Sequence, residues 1–186
     1  MKSKKGPVIA ICGAHGVGKT TVAKLVAQEL NLRYISAGQI FRRLAKEYNM
    51  DLQKFSKFAE ENFKIDREID NKILEEAKKG GVVLDGRITA WIAKDYTDLK
   101  VLLIAPLEVR VSRIAKRDGI SFEEALKETR EREDSEVKRY EELYKINPDD
   151  FMIFDLIINT LNFNQGSCVK LIKAAVEEIL SSSSSE

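Results

Sequence analysis

Short apolar runs alternate along the chain with longer amphipathic segments. The runs are rich in β-branched residues and short enough to be buried strands. They lie at residues 8–12, 34–36, 82–85, 101–105 and 156–159. In the intervening segments apolar residues recur three or four positions apart, which predicts helices. Because strands alternate with helices, we predict an α/β fold with three layers, in which helices cover both faces of a five-stranded parallel sheet.

The segment between the second and third predicted strands is longer than a simple crossover needs. Its apolar residues keep helical spacing throughout, and Ile65, Ile69 and Ile73 form one stripe. Asp51 stands where the N-cap of one of these helices is expected. We therefore predict a helical insertion over residues 36–80, placed to cover a second ligand.

The first predicted strand leads directly into GAHGVGKT, which fits the pattern G-x-x-x-x-G-K-[ST]. A strand before and a helix after are the surroundings that this phosphate-binding loop requires, and the pattern predicts a P-loop fold that binds ATP. The loop amides and the positive end of the helix hold the phosphates. Lys19 is placed to reach the outer phosphates and Thr20 to bind Mg²⁺. The residues predicted to contact the nucleotide are Gly13, Ala14, His15, Gly16, Val17, Gly18, Lys19, Thr20 and Thr21.

A highly charged segment follows the fourth predicted strand. Ser121 is a favourable N-cap with Glu124 at the capping-box position, but apolar residues almost vanish from 127 to 139. A solvent-exposed helix with surface ion pairs is one interpretation. In a phosphate-loop protein, however, this is the position of a lid that closes over phosphates. We predict a short lid over residues 118–145.

Polar residues also end the second and third predicted strands, where a parallel sheet binds its ligand. Asp85 is placed to hold Mg²⁺ or its water ligands, and an arginine offers a planar fork to a phosphate. Two arginines beside a triphosphate site would repel each other without an anion, so we predict that the acceptor itself carries a phosphate. A β-turn with a structural Asp–Arg pair is the alternative. The residues concerned are Ser36, Gly38, Arg42, Asp85, Gly86 and Arg87.

Composition narrows the possible functions. Charged residues make up 33% of the 186 residues but leave a net charge of only +1, which disfavours nucleic acid as a partner. No apolar run has the length of a membrane span. Cys12 and Cys168 show no paired spacing, which favours reduced thiols and a cytoplasmic location. We expect one domain over residues 1–180 and a disordered serine-rich tail at 181–186.

Together, several segments resemble the archaeal-type cytidylate kinases. They are SAGQIFRRLAKEYNM, IDREID, VVLDGRITAWIAKD, APLEVRVSRIAKRDGI and ETREREDSEVKRYEELYKI, within a likeness that runs from about residue 8 to 179. The resemblance implies a monophosphate kinase with a core, a helical monophosphate-binding region and a short lid. It implies transfer of the γ-phosphoryl group of ATP to CMP or dCMP, with Mg²⁺ as cofactor, and we expect a monomer.

The resemblance also implies roles for individual residues. Those that match phosphate-binding and catalytic positions are Lys19, Thr20, Arg87, Arg132 and Arg139. Those that match the acceptor site are Ser36, Gly38, Arg42, Asp66 and Arg67, and the last two lie in the region that reads the base.

The predicted chemistry needs little from the protein beyond positioning and charge stabilisation. A phosphate oxygen is already ionised at neutral pH, so no general base is required, and we expect His15, the only histidine, to be a spectator. Adenylate kinase or another small-molecule kinase of this fold is the alternative. From another class, a non-catalytic ATP-binding protein stays open. A GTPase is disfavoured, because residues 71–74 read NKIL rather than N-K-x-D.

Overall fold

The computed structural model describes residues 6–182, which form a parallel sheet with helices on both faces. The strands are β1 (Val8–Cys12), β2 (Arg33–Ser36), β3 (Val82–Asp85), β4 (Leu99–Ile104) and β5 (Leu156–Asn159). The helices are α1 (Lys19–Glu29), α2 (Ala37–Glu47), α3 (Leu52–Glu61), α4 (Lys64–Lys79), α5 (Thr89–Ile92), α6 (Leu107–Asp118), α7 (Phe122–Tyr144) and α8 (Gln165–Ser182). A single 3₁₀ turn, Phe151–Ile153, precedes β5.

The five strands are ordered β2-β3-β1-β4-β5, and every neighbouring pair is parallel. Ile11 pairs with Asp85 of β3 on one side and with Val101 of β4 on the other, and Ser36 pairs with Asp85. This register brings the ends of β1, β2 and β3 together at one edge of the sheet. The predicted five-stranded parallel α/β fold is confirmed.

Alternate residues of β1 supply the core on both faces of the sheet, as the side-chain alternation of a strand requires. Ile9 and Ile11 pack with α1 and α8, whereas Val8 joins the apolar cluster of the helical insertion and Cys12 packs near α5. All five residues of β1 are buried. The continuous apolar run that predicted a buried central strand is therefore explained by two covered faces.

The predicted helical insertion consists of α2, α3 and α4. Asp51 caps α3, since its carboxylate accepts a hydrogen bond of 2.8 Å from the Lys54 main-chain nitrogen. Phe41 of α2 and Phe55 of α3 pack edge to face with their ring centres 4.8 Å apart. The three helices thus share an apolar centre of their own, which continues onto β3.

The charged segment folds into one helix, α7, that covers both the insertion and α6. Ser121 accepts a hydrogen bond of 3.1 Å from the Glu124 main-chain nitrogen, and the helix ends at Lys145 in a left-handed conformation. Its inner face is polar rather than apolar, with Thr129, Ser135, Glu136 and Arg139 all buried. A helix with buried charges is not merely a solvent-exposed helix, so this inner face needs partners.

The last helix, α8, extends to Ser182. The first two residues of the predicted disordered tail, 181–186, are therefore helical, and the remaining four lie outside the described residues. Cys12 and Cys168 are buried free thiols, as their spacing predicted. Over residues 6–182, no helix has the length and apolarity needed to cross a membrane.

Candidate active site

The phosphate loop is held in a conformation that requires glycine. A Cβ at Gly13 would lie 2.4 Å from the Leu103 carbonyl oxygen, and one at Gly16 would lie 2.5 Å from that of Arg110. Gly18 has a φ of 91° and is the N-cap of α1. Close approach to β4 and α6 therefore explains the first two glycines, and a left-handed backbone the third.

Lys19 folds back over this loop. Its ammonium donates a hydrogen bond of 3.2 Å to the Ala14 carbonyl oxygen. Burial lowers the pKa of Lys19, and the charges of Arg87 and Arg132 act in the same direction. Asp85 and Glu136 oppose that shift. Lys19 is thus surrounded by two acidic and two basic side chains. A bound anion would stabilise its charged form against the repulsion of the two arginines.

Asp85 lies at the end of β3 and organises two hydroxyl groups. Its Oδ2 accepts a hydrogen bond of 2.8 Å from Thr20 Oγ1 and one of 2.7 Å from the Tyr34 hydroxyl. Burial and the Asp85 charge raise the pKa of Tyr34, so its hydroxyl remains a proton donor. The pair of residues predicted for Mg²⁺, Thr20 and Asp85, is thus brought together, and hard oxygen ligands of this kind suit that ion. Sequence reasoning missed Tyr34.

A carboxylate from α7 lies against the phosphate loop. Glu133 Oε1 accepts hydrogen bonds of 3.0 Å from the His15 main-chain nitrogen and 2.7 Å from Arg110 Nη1. Arg110 Nη2 donates to Oε2 over 3.3 Å, and Arg87 Nη1 lies 3.5 Å from Oε1. A loop amide and two arginines are the donors that a phosphate would need. The Glu133 carboxylate therefore lies where these donors could bind a phosphate.

His15 differs from the expected spectator, because it connects the phosphate loop to α7. Its Nε2 lies 2.9 Å from Glu136 Oε1, and Arg132 Nε lies 3.7 Å from the same oxygen. Burial lowers the pKa of His15, against the opposing charge of Glu136. Burial raises the pKa of Glu136, but His15 and the nearby arginines outweigh it and hold that pKa below its ordinary value. These charges favour the ionised form of Glu136.

Arg42 lies on α2, which follows β2, and Arg87 lies two residues beyond the end of β3, the strand that pairs with β2. The Arg87 side chain is only 10% exposed and faces Glu133, whereas Arg42 is exposed on α2. Partial burial and the charge of Arg132 both lower the pKa of Arg42. The site thus contains four positive side chains, Lys19, Arg42, Arg87 and Arg132. A second bound anion would reduce the repulsion among them.

The two predicted lid arginines have different surroundings. Arg132 reaches Glu136 near the loop, but Arg139 points away to the insertion, where its Nε lies 2.9 Å from Asp66 Oδ2. Arg139 Nη1 also donates a hydrogen bond of 2.8 Å to Ser135 Oγ. The prediction that Arg139 closes on the phosphates is therefore not matched by its position here.

Two of the other predicted substrate residues have structural roles in this arrangement. The Ser36 hydroxyl caps α2 by accepting a hydrogen bond of 3.3 Å from the Gln39 nitrogen. Gly86 is required by packing, because a Cβ there would lie 2.6 Å from Thr89 Cγ2. Gly38 borders the Arg42 guanidinium, and Arg67 is exposed on α4.

Two arginines of α6 were missed by sequence reasoning. Arg110 holds Glu133 and also donates a hydrogen bond of 2.9 Å to the His15 carbonyl oxygen. Arg113 Nη2 donates a hydrogen bond of 2.7 Å to the carbonyl oxygen of Thr160, beyond β5. The signal was present in VRVSR, directly after the end of β4, where two arginines lie one helical turn apart.

Sequence comparison agrees with this geometry. The model of the cytidylate kinase-like family matches residues 8–162. The chain belongs to this family. A cytidylate kinase of Methanocaldococcus jannaschii is 46% identical over 175 residues, covering 92% of this chain and 98% of that protein. A cytidylate kinase of Pyrobaculum calidifontis is 48% identical over 164 residues, covering 88% and 89% of the two chains. The predicted resemblance is confirmed.

Solved structures share the fold at low sequence identity. Shikimate kinase from Bacteroides thetaiotaomicron is 16% identical with a TM-score of 0.60, covering 92% of this chain and 98% of its own. Shikimate kinase from Acinetobacter baumannii is 22% identical with a TM-score of 0.56, covering 96% of both chains. They confirm the fold alone.

Proposed function

We propose that this protein is a nucleoside monophosphate kinase that transfers the γ-phosphoryl group of ATP to CMP or dCMP, giving ADP and CDP or dCDP. The observation that carries the proposal is the meeting of a phosphate loop with a second group of arginines beside Asp85, beneath a lid helix. The choice of cytosine is supported by relatives of high coverage that are named cytidylate kinase.

The donor triphosphate binds in the phosphate loop. The amides of the loop and of the first turn of α1 hold its phosphates, and Lys19 turns from the Ala14 carbonyl to the outer phosphates. Arg110 and Arg132 meet the same phosphates once the lid acids have moved aside. These positive groups stabilise the charge that spreads over the transferring group in a loose transition state.

Mg²⁺ is the cofactor that this site suits. Thr20 would bind it directly and Asp85 would hold its water ligands, since the two side chains already share a hydrogen bond of 2.8 Å. When bound, the ion neutralises charge on the donor phosphates. One direct protein oxygen and one carboxylate that holds the waters are sufficient, because Mg²⁺ in kinases takes its other ligands from phosphate and water.

The acceptor binds through its phosphate at the ends of β2 and β3. Arg87, nearly buried, and Arg42, on the first turns of α2, hold it in line with the donor. Its attacking oxygen is already ionised at neutral pH, so the chain supplies no general base. His15 instead holds the lid through Glu136. Closure of α7 excludes water, which would otherwise compete as acceptor.

The cellular setting follows from the same features. Two buried free thiols support a reducing cytoplasm. A net charge of +1 offers no general attraction for nucleic acid. We retain the expectation of a monomer, which size-exclusion chromatography with light scattering would test.

The deciding experiment measures ADP release with each monophosphate in turn and with none, at saturating ATP and Mg²⁺. We expect kcat/KM for CMP to exceed that for AMP and GMP by roughly a hundredfold or more, because a site built for hydrogen bonds rejects a base that leaves them unpaired. A higher value for AMP would instead identify an adenylate kinase. Equal release without any monophosphate would exclude a monophosphate kinase altogether.

A further inference from the structure

The hydroxyl of Tyr34 reaches the acid at the end of the neighbouring strand. Tyr34 of β2 pairs with Val83 of β3, two residues before Asp85, so the three side chains lie on the same face of the sheet. The Tyr34 hydroxyl donates a hydrogen bond of 2.7 Å to Asp85 Oδ2. Tyr34 is half-buried, and Asp85 is only 1% exposed. The strand register therefore brings a hydrogen-bond donor to a carboxylate that is almost closed to water.

A second hydroxyl uses the same carboxylate oxygen. Thr20, in the first turn of α1, donates a hydrogen bond of 2.8 Å from Oγ1 to Asp85 Oδ2. A hydroxyl has one proton and two lone pairs, so Thr20 has only lone pairs left for a further partner. A cation is a partner that such an oxygen can bind. The bond to Asp85 thus prepares Thr20 to be a metal ligand, provided that the carboxylate keeps its orientation.

The orientation of the Asp85 carboxylate depends on both donors. A carboxylate that accepts one hydrogen bond can still turn about its last side-chain bond, because that torsion has broad minima. Tyr34 and Thr20 approach Oδ2 from two different elements, β2 and α1, and together they remove this freedom. Without the Tyr34 hydroxyl, Asp85 would be oriented by Thr20 alone.

Packing alone does not explain a tyrosine at this position. The Tyr34 ring packs against the apolar core beside α1, and the Lys24 ammonium lies 5.8 Å from the ring centre. A phenylalanine ring would make the same apolar contacts. The hydroxyl is the additional group, and its acceptor is the acid predicted to hold the water ligands of the metal. This choice of acceptor connects Tyr34 to the metal site.

We propose that Tyr34 is a positioning residue for the metal in phosphoryl transfer, and that it acts by holding the Asp85 carboxylate in the orientation that Thr20 and the water ligands of Mg²⁺ require. This inference rests on the proposed function, which supplies the metal and the reaction. In this role Tyr34 acts through Asp85 and contacts neither the ion nor the phosphates. Residues that orient metal-binding groups in this way contribute about tenfold to a hundredfold to metal affinity or activity.

The first test compares the unaltered protein with Tyr34→Phe by calorimetry. The ligand is a non-hydrolysable ATP analogue, added once with Mg²⁺ and once with EDTA in place of the metal. We expect the Kd for the Mg²⁺ complex to rise by roughly tenfold in the variant. The Kd for the metal-free analogue should stay the same, because the phosphate loop and Lys19 hold the phosphates.

Two results of this measurement would overturn the proposal. An equal rise of both Kd values would make Tyr34 a structural residue, and no rise of either would show that Thr20 alone orients Asp85. Circular dichroism checks that the variant folds. If Tyr34→Phe does not fold, Tyr34→Met takes its place with the same expected result, since methionine also lacks the hydroxyl and adapts to apolar surroundings.

The matched control is Tyr144→Phe, at the end of α7. The Tyr144 hydroxyl donates a hydrogen bond of 2.6 Å to Asp70 Oδ2, so this variant removes the same kind of bond at a different carboxylate. The ratio of its two Kd values should equal that of the unaltered protein. A ratio altered as much as in Tyr34→Phe would show that the effect is not specific to Asp85, and would overturn the proposal.

The second test measures steady-state turnover with CMP. In Tyr34→Phe the Mg²⁺ concentration that gives half of the maximal rate should rise by roughly tenfold. The KM for CMP should not change, because Arg42 and Arg87 hold the acceptor phosphate. A higher KM for CMP with an unchanged Mg²⁺ requirement would assign Tyr34 to the acceptor and overturn the proposal. Failure of the unaltered protein to phosphorylate CMP would overturn the proposed function, while the calorimetric comparison would still decide the role of Tyr34.

Discussion

Glu133 of the lid helix places its Oε1 3.0 Å from the main-chain nitrogen of His15 in the phosphate loop. The same carboxylate is held on both oxygens by Arg110. A side chain of the protein thus occupies the position where loop amides and arginines converge. A triphosphate that uses the same donors would have to displace this carboxylate, so we expect nucleotide binding to be coupled to a rearrangement of Glu133.

Removing this internal anion should tighten ATP binding. In Glu133→Gln we expect the Kd for ATP, measured by calorimetry without acceptor, to fall by roughly fivefold, since a hydrogen bond to a charged group is worth about 1 kcal/mol more than a neutral one. The control is Glu131→Gln, an exposed acid two residues earlier on α7. Unchanged or weaker ATP binding would show that Glu133 does not compete with phosphate.

Lys19→Ala tests the phosphate loop. We expect kcat to fall by roughly a hundredfold or more, because the lysine stabilises charge mainly in the transition state. Folding should be preserved, since burial lowers the pKa of Lys19 and its charged form gains little from the fold. Circular dichroism and steady-state turnover are the measurements. A folded variant with near-normal turnover would disprove the assignment.

Arg132→Ala and Arg139→Ala should differ in their effects on stability, although the resemblance predicts the same role for the two arginines. Arg132 is 27% exposed with one long contact, so its loss should lower turnover with a change in unfolding free energy below about 1 kcal/mol. Arg139 is buried against Asp66, and its loss should cost about 3–5 kcal/mol. Urea denaturation of both variants measures the two unfolding free energies. Equal stabilities would contradict the buried pair.

Asp70 should make stability depend on pH. Burial and the charge of Asp66 raise its pKa to about 7, despite the hydrogen bond from Tyr144. The folded protein then keeps a proton that the unfolded chain releases above about pH 4, so stability falls as pH rises from about 4 to 7.

The variant Asp70→Asn isolates this contribution. Compared with the unaltered protein, it should gain about 2 kcal/mol in unfolding free energy between pH 5 and pH 8. Exposed Asp134→Asn on α7 is the control and should show no such gain. A constant difference at the two pH values would mean that Asp70 is ionised throughout.

The sequence predicted the sheet well because buried strands have a local signal. Three of the five strands, β1, β3 and β5, have the predicted bounds, since each is a short apolar run next to turn residues. Strand β4 was displaced, beginning at Leu99 rather than 101, because Lys100 interrupts the apolar run while its main chain pairs with β1. The loop glycines followed from a motif whose spacing is itself the requirement.

The site was predicted less completely, because its contacts join distant parts of the chain. Nothing near Glu133 in sequence indicates that it meets His15, 118 residues away. Tyr34 was assigned to a strand by its apolar neighbours, and only the register of β2 on β3 brings its hydroxyl to Asp85. The resemblance predicted a phosphate contact for Arg139. Its burial against Asp66 depends instead on the packing of α7 beside α4.

Helix α7 runs through 23 residues without glycine or proline, and so behaves as one stiff rod. Its middle touches the phosphate loop through Glu133, and its later turns touch the insertion through Arg139 and Tyr144. A rotation of such a helix at one end also displaces its other end. We therefore expect the binding of the two substrates to be thermodynamically linked: if a bound ATP analogue changes the affinity for CMP by some factor, CMP changes the affinity for the analogue by the same factor.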